Sequence, residues 1–234
     1  QAREDTPGEF VSGAAGALAA ALALTRRNPG GRAHLEEHLS ALAAPVARAA
    51  RSVLREGRAT PDGHSAYTGF AHGVAGLLTP LAEAGVLLDD PRLTGYATDL
   101  AESLITARRV HGRWPRQLDG SSTSHAWCHG APGILLALTG LSRATPAGDP
   151  VPGPVLDDLL TETLTHALGN NPSLCHGDLG TLDIVLECAR LRGDTALETD
   201  AADALATSAT RIATTDRRVA RDRYRHTDSL MVGT

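Results

Sequence analysis

The stretch Gly130-Ala131-Pro132-Gly133, followed by the apolar residues 134–141, decides the fold. Its pattern, two glycines three residues apart before an apolar run, recurs with first glycines at Gly13, Gly73, Gly177 and, in a truncated copy, Gly233. The first glycines of successive copies are 60, 57, 47 and 56 residues apart. Recurrence of one motif at such intervals indicates an array of similar supersecondary units.

Each unit contains two helical stretches. Apolar helices are predicted after the glycines, over residues 16–25, 76–83, 133–141 and 180–191. Amphipathic helices, with apolar residues three and four apart, are predicted over residues 33–56, 91–109, 154–168 and 195–217, the first of them kinked or split at Pro45. Stacked hairpins of this kind form an inner ring of apolar helices inside an outer amphipathic ring, which is an all-α fold, an α/α toroid or solenoid.

Composition narrows the class of protein. The 234 residues suffice for one domain, residues 1–234, and the start at Gln1 leads us to expect a piece of a longer chain. A net charge of −5 argues against nucleic-acid binding, and no apolar run reaches the roughly 18 residues of a membrane span. Three cysteines are too few for a disulfide scaffold and favour a metal or catalytic role in a reducing, cytoplasmic compartment.

The residues that precede the glycines are the candidate functional residues. All glycine turns of such an array fall at one end of the inner helices, so the residues before them converge on one rim. Cys128 and Cys175 lie about one repeat apart at equivalent turns, and His176 follows Cys175 directly. Two thiolates and an imidazole with an open fourth position form a catalytic zinc set. A lone cysteine is more often a buried apolar residue, but two at one repeat position favour the metal.

Five motifs, in order along nearly the whole chain, resemble those of the lanthionine synthetase C-like (LanC-like) family. They are Trp127-Cys128-His129-Gly130-Ala131-Pro132-Gly133, Leu174-Cys175-His176-Gly177, Ala71-His72-Gly73-Val74-Ala75-Gly76, residues 10–16, and Ser229-Leu230-Met231-Val232-Gly233. The resemblance implies an α/α toroid of seven hairpins, one zinc ion, and formation of thioether rings in ribosomal peptides. It also implies that the zinc ligands are Cys128, Cys175 and His176.

Three further residues receive roles from the same resemblance. His72 matches the acid/base histidine near the metal, and Glu9 falls where the family usually has an aspartate. His129 falls where many members have tyrosine, which is more like the cyclase domains fused to a dehydratase. Either histidine could protonate the enolate that forms when a thiolate adds to a dehydroamino acid.

The implied function is a zinc-dependent lanthionine or methyllanthionine cyclase. Its partners would be a dehydrated precursor peptide and a dehydratase or kinase/lyase domain of the same pathway. The chain departs from the family in three ways: it shows five turns, which indicates part of a seven-hairpin barrel, it has Ser124 where some members place arginine, and it has Glu9 where aspartate is usual. Two alternatives stay open, the first of them motivated by the missing turns and Ser124. These are a non-catalytic, zinc-stabilised peptide-binding module and a LanC-like protein that adds glutathione.

Other conspicuous residues receive simpler interpretations. Cys188 lies within an apolar helix and is expected in the core, and His125 is expected on an exposed loop. The segment Trp114-Pro115-Arg116 lies in a long loop, where it either contacts the peptide or anchors the loop.

Overall fold

The computed structural model describes residues 8–28, 32–56, 65–145, 148, 150–169 and 171–214. These ranges contain eight helices and no strand. The helices are α1 (Ala14–Arg27), α2 (Arg32–Glu56), α3 (Ala75–Leu87), α4 (Pro91–His111), α5 (Ala131–Ala144), α6 (Gly153–His166), α7 (Asp178–Arg192) and α8 (Thr195–Thr214). The turn predicted at Gly233 lies outside the described residues. Among the described helices, none combines the length and the apolar character that crossing a membrane requires.

The helices pair into four hairpins whose inner members form an arc. Inner helices α1, α3, α5 and α7 pack against one another in chain order, and each outer helix, α2, α4, α6 or α8, packs on the inner helix that precedes it. The prediction of an all-α array of hairpins with inner and outer layers is thereby confirmed. Every predicted helix is present, with ends shifted by a few residues.

Burial explains which helices are inner. In α5, ten of the 14 residues are buried, and in α3 nine of 13, so these helices are covered on nearly all sides. The outer helix α6 buries only three of its 14 residues. Another outer helix, α4, buries a stripe with helical spacing that includes Leu93, Ala97, Leu100 and Leu104. The aromatic-poor core is built from these aliphatic side chains.

Pro45 does not split the helix that contains it, contrary to one of the predicted outcomes. Helix α2 runs unbroken from Arg32 to Glu56 with Pro45 inside. Val46 and Ala50, which follow Pro45 within the next one and a half turns of the helix, are fully buried in the core. Burial of this face outweighs the loss of one N–H donor, which costs about 3 kcal/mol in an isolated helix.

The glycine motif folds each loop back over the helix that follows it. A Cβ on the second glycine would collide with the carbonyl oxygen six residues earlier, in the pairs Gly16 with Phe10, Gly76 with Phe70, Gly133 with Trp127, and Gly180 with Leu174. The loop carbonyls also cap the first helical turn, where no side chain does so. Examples are the bonds from the Ala15 N–H to the Glu9 oxygen (3.3 Å) and from Ala75 to Thr68 (3.1 Å).

Substituting Gly133 by alanine should therefore destabilise the protein. The added methyl group meets the Trp127 carbonyl, which is held in the loop and cannot retreat freely. We expect the free energy of unfolding to fall by about 2–3 kcal/mol, the typical cost of overpacking. Urea denaturation followed by circular dichroism measures this change.

Gly95 provides the matched control, because it lies in α4 and a methyl group added there would meet no atom within 4 Å. Gly95→Ala should raise stability by about 0.5–1 kcal/mol, since glycine is a poor helix former. Equal effects of the two substitutions would show that the close loop contact is not what requires glycine at 133.

Candidate metal centre

Backbone hydrogen bonds join each glycine turn to the next one along the arc. The N–H of Phe10 donates to the carbonyl of Ala71 (3.2 Å), and the N–H of Ala71 donates to the carbonyl of Cys128 (3.2 Å). The N–H of Trp127 donates in turn to the carbonyl of Cys175 (3.0 Å). The four turns are therefore held in one register, and residues at equivalent positions become neighbours.

This register decides which side chains meet. Two residues before the first glycine, the four turns carry Val11, Ala71, Cys128 and Cys175. One residue before it, they carry Ser12, His72, His129 and His176. The thiols thus belong to adjacent turns, and Ala71, Cys128 and Cys175 form a small buried cluster covered by Trp127.

Cys128, Cys175 and His176 bring three ligand atoms together. Nε2 of His176 lies 3.5 Å from Sγ of Cys128 and 3.8 Å from Sγ of Cys175. All three ligand atoms are within 4.8 Å of one another, the only such group of three among the described residues. Both cysteines are buried, with 5% and 7% of their surface exposed. This Cys2His group can bind a metal ion.

The protonation states of the group suit a cation. Burial lowers the pKa of His176, which keeps its imidazole neutral and its nitrogen lone pair available. The hydrogen bond between the thiols raises the pKa of Cys128, an effect that burial reinforces, and lowers the pKa of Cys175. One thiol therefore ionises before the other, and a bound cation would favour the second thiolate as well.

Two residues that the sequence analysis missed hold the fourth turn in shape. The Ser173 hydroxyl accepts a hydrogen bond from the N–H of His176 (3.2 Å), and the Asn171 amide donates to the His176 carbonyl (3.2 Å). The other end of that amide accepts the N–H of Ser173 (2.8 Å). The sequence signal is weak: an Asn-Pro-Ser turn just before the cysteine.

Glu9 and His72 form a carboxylate–imidazole pair on the same rim. One carboxylate oxygen of Glu9 contacts Nδ1 of His72, and the other accepts the N–H of Ser12 (2.6 Å) and bonds its hydroxyl. The His72 ring packs on the ring of His129, the residue after Cys128 (centroids 5.6 Å apart), which places the pair on the rim next to the turn that carries Cys128. The structure thus brings the predicted residues of the first and second turns to the group formed by the third and fourth.

A row of rings continues from His72 along the rim; we call it the rim row: His72, His129, Tyr67 and the guanidinium of Arg116. Successive ring centroids are 5.6 Å and 5.2 Å apart, and Cζ of Arg116 lies 5.3 Å from the centroid of Tyr67. Burial, followed by the charges of Arg116, His72 and His176, lowers the pKa of His129 to about 4. Tyr67 was not predicted, although it stands six residues before a first glycine, as Ser124 and Asn171 do.

The other residues singled out in the sequence lie outside the group of three ligand atoms. Cys188 is 1% exposed and accepts a hydrogen bond from the Thr139 hydroxyl (3.6 Å), which confirms its place in the core. Trp114 anchors its loop, because it is buried and its Nε1 donates to Asp158 (2.8 Å). His125 lies in a loop but is only partly exposed, contrary to the prediction, because it packs beside His166 (ring centroids 5.0 Å apart) and its Nδ1 is buried. The Ser124 hydroxyl accepts the N–H of Ala126 (3.3 Å).

An arc of helical hairpins that brings two thiols and an imidazole together at its glycine turns defines a class of all-α proteins with a site that could bind a metal ion. Comparison with protein families agrees with this class: the family described as lanthionine synthetase C-like protein matches residues 1–234. The chain therefore belongs to the LanC-like family. Membership indicates a cyclase-type or related function.

The geometry predicts that Cys128 and Cys175, and not Cys188, would bind a metal ion. Cys175→Ala removes one of the three converging donors, and we expect the metal content of the purified, dialysed protein to fall from about one ion per chain to near zero. Cys188→Ala serves as the control, because this thiol is buried between α5 and α7 and should cost only about 1 kcal/mol of packing. Loss of metal from folded Cys188→Ala, with metal retained in Cys175→Ala, would overturn the assignment.

Proposed function

We propose that this chain is a zinc-dependent cyclase. It joins cysteine thiols to dehydroalanine or dehydrobutyrine residues of one peptide and so forms lanthionine or methyllanthionine thioether rings. The observation that carries the proposal is the convergence of Cys128, Cys175 and His176 beside the Glu9–His72 pair in a member of the LanC-like family.

Zinc is supported by the donor types and their spacing. Thiolate and imidazole ligands together favour zinc over hard cations such as Mg²⁺ or Ca²⁺. With bonds of about 2.3 Å to sulfur and 2.05 Å to nitrogen, tetrahedral zinc separates these two donors by roughly 3.6 Å. The observed distances from Nε2 of His176, 3.5 Å and 3.8 Å, bracket that value. Three protein donors leave a fourth position for a substrate thiol.

The chemistry that zinc supplies when bound is to lower the pKa of a substrate thiol, so that thiolate exists at neutral pH. The thiolate sulfur adds to the β-carbon of the dehydroamino acid, and the electrons of the C=C bond move to the carbonyl oxygen. The α-carbon of this enolate then takes a proton. His72 donates it in our proposal, because Glu9 binds its Nδ1 and leaves Nε2 for the substrate. His129, one ring away, is the second acid/base group.

The proposal extends to the protein's context. Residues 1–234 form one cyclase domain in our proposal, supported by a LanC-like family match that covers this whole range. His129, which resembles the cyclase domains fused to a dehydratase, is the reason to propose a fused synthetase. Its substrate is a precursor peptide dehydrated by a dehydratase or kinase/lyase domain of the same pathway. The cytoplasm suits the reaction, because Cys128, Cys175 and Cys188 are all free thiols and persist in a reducing compartment.

Ring closure can be measured directly. Zinc-loaded protein is mixed with a dehydrated precursor peptide, the products are treated with a thiol-alkylating reagent, and their masses are recorded. Each closed ring protects one cysteine from alkylation without changing the peptide's mass. Peptide that binds but stays fully alkylated would favour the non-catalytic module, and glutathione adducts formed at the dehydro residues would favour the thiol-adding alternative.

The role of His72 can be separated from metal binding. His72→Asn keeps the size of the side chain but removes the proton donor, and His72 is not among the three converging ligands. We expect zinc to stay near one ion per chain while single-turnover ring closure slows on the order of 10²-fold or more. Zinc content, melting temperature and ring closure are measured on the same sample.

His38→Asn is the matched control, because His38 lies exposed on the outer helix α2. It should leave both zinc and rate unchanged. If His72 only supports the fold, its substitution lowers the melting temperature but not the rate per folded molecule. Unchanged ring closure with zinc retained would remove His72 from the mechanism and leave His129 as the acid/base group.

A further inference from the structure

Two of the three candidate metal ligands, Cys175 and His176, are neighbours in the sequence. Consecutive side chains of an extended chain point to opposite sides, so these two can bind one ion only if the backbone bends between them. The bend is present: residues 174–176 form a turn, and Sγ of Cys175 lies 3.8 Å from Nε2 of His176. The contacts that hold this bend therefore also set the positions of two ligands.

Two side chains hold the bend by binding both polar groups of the His176 backbone. The Ser173 hydroxyl accepts the N–H of His176 (3.2 Å), and the amide nitrogen of Asn171 donates to the His176 carbonyl (3.2 Å). The amide oxygen of Asn171 accepts the N–H of Ser173 (2.8 Å), which ties the two residues together. The amide has one possible orientation, because its oxygen faces an N–H and its nitrogen faces a carbonyl.

The loop is built around these two residues. A Cβ at position 177 would collide with the side-chain oxygen of Asn171, so the amide occupies space that Gly177 leaves open. The backbone carbonyl of Asn171 accepts the N–H of Asp178 (2.7 Å), the first residue of α7. Ser173 is only 2% exposed, which shields its hydrogen bonds from competing water. Asn171 and Ser173 are thus anchored to the inner helix that follows the ligands.

The third turn differs at the same positions. Ser124 stands where Asn171 stands in the fourth turn, and its hydroxyl likewise accepts the N–H of the residue two positions on, Ala126 (3.3 Å). The N–H of His129 donates to the backbone carbonyl of Ala126 (3.3 Å), and neither Ser124 nor Ala126 has a side-chain amide to donate to a carbonyl. His129 occupies the position of His176 but lies outside the group of three ligand atoms. The amide donor therefore occurs in the turn whose histidine is a candidate ligand.

We propose that Asn171 and Ser173 are positioning residues of the metal centre: they clamp the backbone of His176 so that Cys175 and His176 bind the same ion. The proposal depends on the zinc binding proposed above. Both residues act through the backbone of a ligand, and neither belongs to the three converging donors. Ligands held in place before the ion arrives lose less conformational freedom on binding it. The clamp should therefore affect both the affinity for the metal and its coordination geometry.

Metal affinity and coordination geometry are measured on variants of both residues. In Asn171→Ala the dissociation constant for zinc, determined by competition with a chromophoric chelator, should rise about 10–100-fold, the usual effect of removing a residue that orients a ligand. Ser173→Ala should act in the same direction. The ligand-field bands of Co²⁺ bound in place of zinc should also change in both variants, because these bands report coordination geometry. The melting temperature of each metal-free variant is recorded.

Two further variants separate the clamp from general stability. Asn171→Asp still accepts the N–H of Ser173 but cannot donate to the His176 carbonyl, so it should lose affinity as Asn171→Ala does. Asp90→Ala is the matched control, because the Asp90 carboxylate also accepts an N–H two residues on, that of Arg92 (3.1 Å), but at the start of α4. It should lower the melting temperature and leave zinc affinity and the Co²⁺ spectrum unchanged.

Wild-type zinc affinity and a wild-type Co²⁺ spectrum in both Asn171→Ala and Ser173→Ala would overturn the inference. Full recovery of affinity in Asn171→Asp, or an equal loss in Asp90→Ala, would do the same. Wild-type protein that binds zinc but closes no rings would refute the cyclase function and leave the clamp intact. Wild-type protein that binds neither zinc nor Co²⁺ would refute the metal centre and the clamp together.

Discussion

The close approach of each loop carbonyl to the second glycine of its motif is the constraint on which the site depends. At Gly133 the absence of a side chain lets the Trp127 carbonyl lie directly over the first turn of α5. The loop is thereby fixed against its own helix, and the N–H of Trp127 is aimed at the carbonyl of Cys175 in the next turn. Side-chain convergence on the rim follows from this backbone contact rather than from attraction between the side chains.

The repeat produces a site because equivalent positions are filled differently. Ala71, Cys128 and Cys175 occupy one position of successive turns, and only the last two bring thiols. The histidines of the following position also differ in surroundings, since His72 is bound by Glu9 whereas His176 faces the two sulfurs. The repeated turns therefore carry different functional groups at equivalent positions. The third and fourth turns supply the candidate metal donors, and the first and second supply the carboxylate–imidazole pair.

The sequence could predict what depends on periodicity. Apolar spacing located every helix, and the equal distance of Cys128 and Cys175 from their glycines predicted that they meet. It could not predict what depends on contacts across loops. Arg116 and Tyr67 are 49 residues apart and meet only because the loop after α4 packs on the segment before α3. The sequence also could not predict that α2 continues through Pro45, because helix propensity depends on local residues and not on how deeply the surrounding helix face is buried.

The two charged groups at the ends of the rim row have opposite signs. Glu9 stands at one end beside His72, and Arg116 stands at the other end over Tyr67. The proposed conjugate addition consumes a proton at the α-carbon, and His72 would donate it while Glu9 holds its Nδ1. A guanidinium bonded to Glu9 would compete with His72 for that carboxylate. Two rings separate Arg116 from His72, so the carboxylate of Glu9 remains available to the imidazole.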